Sequence, residues 1–145
     1  MKAELTTCLG EKLIDCTEAY GEMNLIVLPE HLLEAARLLR DQAALSFTFL
    51  SDLTGVDCGG GEFEVVYHLL SMKRRSRVRI KVRIARGAEL PSVTGIWPTA
   101  NWHEREAYDL LGIPFAGHPD LKRILTPDGF SGHPLRKEYP LKGEG

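Results

Sequence analysis

The stretch Arg77-Val78-Arg79-Ile80-Lys81-Val82-Arg83-Ile84 alternates basic and apolar side chains without a fault. Successive side chains on a strand point to opposite faces, so this pattern predicts one core face and one basic face. Such alternation belongs to a sheet covered on one side and wet on the other, the usual condition of an antiparallel sheet. The basic stripe therefore reads first as a solvated outer face. Working backward, residues 63–70 (FEVVYHLL) predict the preceding strand, joined through the basic turn Met72-Lys73-Arg74-Arg75, and 47–52 (FTFLSD) predict another. The GVDCGGGE run between them reads as a hairpin loop. It lacks the Gly-Lys-Ser/Thr ending and the following helix of a phosphate cradle.

Nearer the start, residues 2–10 predict a short helix ending at Gly10. Residues 12–17 and 24–28 predict two strands paired around Gly21. Pro29 occupies a favoured first position for the helix EHLLEAARLLRDQAA over 30–44, in which Leu32, Leu33, Ala36 and Leu39 recur at helical spacing. After the strands, 91–98 (PSVTGIWP) is a connector with proline at both ends. Thr99 or Asn101 can cap the next helix, which runs to Leu111 and stops at Gly112, a residue type typical just past a helix end. The order of elements predicts an α+β fold, a two-layer arrangement of a mostly antiparallel sheet packed with helices.

Beyond Gly112 the pattern changes. Residues 113–145 form a long arm punctuated by Pro114, Pro119, Pro127, Pro134 and Pro140 and broken further by Gly117, Gly129 and Gly132. No regular element survives such spacing. Yet Ile113, Phe115, Leu121, Ile124, Leu125, Phe130, Leu135, Tyr139 and Leu141 make the arm too apolar for a disordered tail. The sequence thus divides into a domain over 1–112 and an extended arm over 113–145 expected to pack on a partner.

Composition narrows the function. A net charge of -2 with 26% charged residues argues against a general nucleic-acid binder. No apolar run approaches the roughly 20 residues that span a bilayer, and MKAELTTCLG lacks a signal-peptide core, so membrane association is expected only through a partner. Cys8, Cys16 and Cys58 form no Cys-x-x-Cys pair and read as reduced thiols. A cluster bound by this chain alone would need about four cysteine ligands.

The charged helix is where catalysis would hide. His103, Glu104, Glu106 and Asp109 lie close in sequence, with His118 and His133 on the arm, and a small metal-dependent enzyme would draw on His103, Glu106, His118 and His133. A zinc-protease pattern would need histidine at Ala107, and each arm histidine precedes proline, where the ring commonly bonds local backbone. Arg105 and Asp109, four apart, are spaced to pair, and two acids flanking Arg105 read as a salt-bridge node fixing the arm's take-off. No nucleophile sits beside a base. A nucleic-acid module built on Arg77, Arg79, Lys81 and Arg83 is the other alternative, and the weak aromatic content nearby counts against it.

Glu104-Arg105-Glu106-x-x-Asp109-Leu110-Leu111, followed by His118 and then Lys122-x-Ile124-Leu125, resembles the signature of one family in proton-pumping NADH:quinone oxidoreductase, respiratory complex I: its C-subunit, or 30-kilodalton subunit. GHPDLKRIL, GHPLRKEYPL, SDLTGVD and PSVTGIWPTANW extend the likeness over roughly the last two-thirds of the chain. The resemblance implies a cofactor-free structural and assembly subunit of the peripheral arm, supporting electron transfer from NADH to quinone coupled to proton translocation. FMN, iron–sulfur clusters and quinone would sit on partner subunits. It implies packing against the D-subunit, which helps form the quinone pocket, and against other peripheral-arm subunits. Contact with the membrane would come only through the complex, on the cytoplasmic side in bacteria or archaea, and no nucleic acid is implied. Glu104, Arg105, Glu106, Asp109, His118, Lys122, Arg123, His133, Arg136 and Tyr139 would be signature positions with interface roles and no catalytic or metal-binding ones. The equivalent subunit of a membrane-bound hydrogenase or related dehydrogenase shares the implied pattern.

Overall fold

The computed structural model describes residues 2–19 and 21–119 of the 145. Seven strands and three α-helices occur there, and the alternating stretch forms β5 (Ser76–Ala85) at the centre of a five-stranded sheet. The sheet runs β1 (Leu13–Ala19), β2 (Glu22–Val27), β5, β4 (Glu62–Ser71), β3 (Phe49–Gly59). Every neighbouring pair is antiparallel except β2 with β5, which lie parallel with Leu25 opposite Ile80. The mostly antiparallel α+β fold expected from the sequence is present.

Val78, Ile80, Val82 and Ile84 are all buried. Against this face lie α1 (Lys2–Leu9) through Leu5 and Leu9, and α2 (Leu32–Asp41) through Leu32, Ala35, Ala36 and Leu39, in one continuous core. Leu33 sits only at the rim of that core, and Ala35 takes its place on the buried stripe. The helix also stops at Asp41, short of the predicted 44. Gln42 turns extended, which brings Leu45 and Phe47 into the core and lets the Phe47 N–H reach Leu39 O at 2.8 Å. Pro29–His31 forms a single 3-10 turn ahead of the helix.

The other face carries the basic stripe. There Arg79 meets Glu22 at 2.9 Å, and Arg83 lies 3.6 Å from Glu62 and 3.5 Å from Glu64. Interleaved acids make it a solvated ionic face, weakly stabilising at best.

The GVDCGGGE reading needs correction, because Gly55 through Gly59 belong to β3. Only the tip is a turn, with Gly59, Gly60 and Gly61 all at positive φ. Asp57 is buried behind it, accepting the Gly59 N–H at 2.9 Å and facing Arg86 at 3.5 Å. Gly55 serves a different purpose. A Cβ built there falls on the Leu111 side chain, so glycine is what lets a helix lie against this strand.

That helix is α3 (Ala100–Leu111), reached through a connector whose Trp97 is buried and donates its indole N–H to Phe47 O at 3.0 Å. Thr99 occupies the cap position, but its hydroxyl bonds Leu50 O at 3.0 Å and leaves the helix end alone. Gly112 ends the helix in the left-handed region, as expected. Ile113 and Phe115 then return into the core, and β7 (Phe115–Ala116) pairs parallel with β6 (Leu90–Pro91). The first residues of the arm are thus part of the domain's own packing. Residues 120–145 lie outside the described part.

Candidate functional site

The signature helix α3 has an inner and an outer side, and its residues divide between them in a way spacing alone does not show. Glu104 is fully buried. Its Oε1 accepts the Ser92 hydroxyl at 2.7 Å and its Oε2 accepts the Val93 N–H at 2.8 Å. Burial raises its pKa from 4.5 to about 7, partly offset by those two bonds, which favour the carboxylate. Tyr67 on β4 is also fully buried, and its phenol is pushed well above its usual value by burial and then by the charge of Glu104. The Tyr67 hydroxyl has no hydrogen-bond partner among the described residues. Asp109 is buried as completely as Glu104.

Arg105 does not form the expected salt-bridge node. Among the described residues it makes no ion pair with Glu104, Glu106 or Asp109; its guanidinium lies over the Trp102 ring, 5.8 Å from the centroid. The acids on either side are placed differently: Glu104 is bonded to the connector and Asp109 is buried. Trp102, half exposed, offers the ring face three residues before Arg105. Glu106 lines a shallow cleft with Leu53, Thr54, Gly55, Ala107, Leu110 and Leu111, where the helix meets β3.

The two candidate histidines among the described residues, His103 and His118, have different neighbours. His103 Nδ1 lies 3.5 Å from Asp52 Oδ1. His118 Nε2 lies 3.1 Å from Asn101 O, so the ring meets the start of α3 and not the local backbone expected of a His-Pro turn; only its backbone N–H bonds locally, to Phe115 O at 3.3 Å. Among the described residues no three His, Cys, Asp or Glu side chains converge as metal ligands. Cys8, Cys16 and Cys58 are free, on α1, β1 and β3 respectively. Lys122, Arg123, His133, Arg136 and Tyr139 lie outside the described residues.

Sequence reasoning missed Ser92, Val93 and Tyr67 as neighbours of Glu104. Their separation along the chain leaves no periodic signal, and a serine between two prolines reads as an ordinary connector.

The model of the family described as "Respiratory-chain NADH dehydrogenase, 30 Kd subunit" matches residues 25–145. The chain is 51% identical over 145 residues to the NADH-quinone oxidoreductase C-subunit of Azorhizobium caulinodans, covering 99% of this chain and 69% of the relative. It is 48% identical over 143 residues to the protein of that name from a Roseiflexus species, covering 97% and 82%. Among solved structures it resembles the trypsin-resistant fragment (1-134) of Nqo5, with a TM-score of 0.69 and 31% identity over 83% of this chain and 98% of that one. It shares a fold with a chain of the membrane-bound sulfane sulfur reductase, an archaeal respiratory membrane complex, at a TM-score of 0.83 and 23% identity over 97% and 85%.

Proposed function

The chain belongs to the respiratory-chain NADH dehydrogenase 30 Kd subunit family, and from that membership we propose that it is a cofactor-free structural and assembly subunit in the peripheral arm of NADH:quinone oxidoreductase. It is one part of a multi-subunit respiratory complex. In this reading FMN, iron–sulfur clusters and quinone are held by partner subunits, and the chain supports passage of electrons from NADH to quinone, coupled to proton translocation, by holding those partners in place. The D-subunit, which helps form the quinone pocket, is the partner proposed for the C-terminal arm. The attachment is peripheral, on the cytoplasmic side. Among the described residues no helix is long and apolar enough to cross a membrane. The hydrogenase-type alternative is not favoured, since relatives at 48–51% identity carry the NADH-quinone oxidoreductase name.

The observation that carries the proposal is how α3 spends its side chains. Glu104 is committed to the connector and Asp109 is buried, while half-buried Arg105 lies over the ring of the exposed Trp102. Carboxylates so placed are unavailable to a substrate. A stacked Trp and Arg is the residue chemistry most enriched at interface hot spots. Of the histidines a metal enzyme would draw on, His103 lies beside Asp52 and His118 beside the Asn101 carbonyl, while His133 is outside the described residues.

Replacing Trp102 with alanine in the assembled complex tests this. Native gels of membranes carrying the variant should show less intact complex, while the isolated variant melts as the parent does. Assembly at the parental level would overturn the assignment of this surface.

A further inference from the structure

After Gly112 the chain doubles back, and the ladder between β6 and β7 is closed by Leu90 N–H to Pro114 O at 3.0 Å and Ser92 N–H to Ala116 O at 2.8 Å. Ser92 is therefore shared. Its backbone holds β7, and its side chain holds Glu104. Val93, the next residue, gives its N–H to the other carboxylate oxygen. One buried acid on α3 thus grips the strand that grips the start of the arm. We propose that Glu104, Ser92 and Val93 form a proton-operated clasp that sets how firmly the β6–β7 pair, and with it the root of the C-terminal arm, is held to α3. The proposal rests on the reading of the arm as the docking segment.

The chemistry of the clasp differs between its two states. A carboxylate only accepts, so the Ser92 O–H must point at it. Ser92 Oγ is then left to accept the Thr94 N–H at 3.2 Å, with Thr94 Oγ1 2.9 Å away. A protonated Glu104 can donate to Ser92 Oγ, which turns the serine proton toward Thr94 Oγ1 and reverses that chain. Both bonds also lose their charge assistance, which roughly doubles the strength of such contacts. Protonation therefore slackens the grip on Ser92 and Val93 together.

Glu104 shares its helix and the elements beside it with other titratable and charged groups. From β4 it faces Tyr67, whose phenol stays neutral. On α2, Arg40 is engaged by Asp41 and Ile96 O. On its own helix Arg105 stacks on Trp102, His103 faces Asp52 and Asp109 is buried. Burial holds the carboxyl at about 7, so both states are populated near neutrality.

Backbone amide spectra of the full 15N-labelled chain between pH 5.5 and 8.5 test the clasp. The amides of Val93, Ser92 and Leu90 should shift with one common midpoint near neutrality, and Glu104→Gln should abolish all three titrations. Ser92→Ala should keep the Val93 titration while releasing Leu90 from it. Titration of Val93 alone in the parent, titrations that persist in Glu104→Gln, or no titration at all would each overturn the proposal. The readout needs no partner, so failure of the chain to assemble into an oxidoreductase would count against the proposed function without touching this result.

Discussion

Glutamine at position 104 keeps the size and shape of the buried acid but cannot ionise. Its amide can donate to Ser92 Oγ while its oxygen accepts the Val93 N–H, so both contacts at 2.7 and 2.8 Å can be preserved. What disappears is the titration. In the folded protein Glu104 ionises at about 7, against an ordinary value of 4.5. A carboxyl with a raised pKa binds its proton more tightly when folded. Its contribution to stability is complete below pH 4.5 and is lost as pH rises through about 7. Each tenfold change in ionisation constant is worth about 1.4 kcal/mol, which gives about 3 kcal/mol in all. Most of that falls between pH 5 and pH 8. Urea unfolding followed by tryptophan fluorescence reports the core directly, because Trp97 is buried in it. The expected result is a parent protein that loses about 2–3 kcal/mol more than Glu104→Gln between those two pH values, at constant denaturant slope. Other titrating groups are common to both proteins and cancel in the difference. Parallel stability curves would show that Glu104 is solvated or paired in a way this geometry does not contain, and would refute the reasoning.

Gly55→Ala should destabilise the domain by about 1–3 kcal/mol, since the new methyl overlaps Leu111 and the helix must shift; thermal unfolding measures it. Tyr67→Phe should be neutral or stabilising by up to about 1 kcal/mol, because it removes a buried hydroxyl without a described partner, and a large loss in urea unfolding would reveal a bond there. Arg105→Ala should cost less than about 1 kcal/mol of stability while weakening subunit association, as checked by melting the isolated chain and quantifying co-purifying subunits; equal association would place Arg105 outside the interface.

The legible parts of this fold are those whose cause is local. The Arg77–Ile84 alternation reads correctly because one face of β5 is core and the other water. Gly112 reads correctly because its left-handed conformation is a property of the helix end itself. Gly55 does not, because what requires glycine there is a leucine 56 positions later, and a glycine among glycines looks like a loop. The parallel pairing of β2 with β5 joins strands separated by α2, β3 and β4, so no hairpin signal marks it. For Glu104, the sequence places the right helix but the wrong neighbours. Acids in a run such as His103-Glu104-Arg105-Glu106 pair with adjacent charges by default, and only the folded connector shows that one of them is capped by Ser92 and Val93. Half of the predicted signature, from Lys122 to Tyr139, lies beyond the described residues.

The most direct test of the central claim is purification of the tagged full chain from its native membranes in mild detergent, with the co-purifying subunits identified by mass. The expected recovery is with the quinone-pocket D-subunit and with the flavin- and cluster-bearing subunits of NADH:quinone oxidoreductase, in fixed stoichiometry. A chain recovered alone, or one carrying its own metal or flavin, would contradict it.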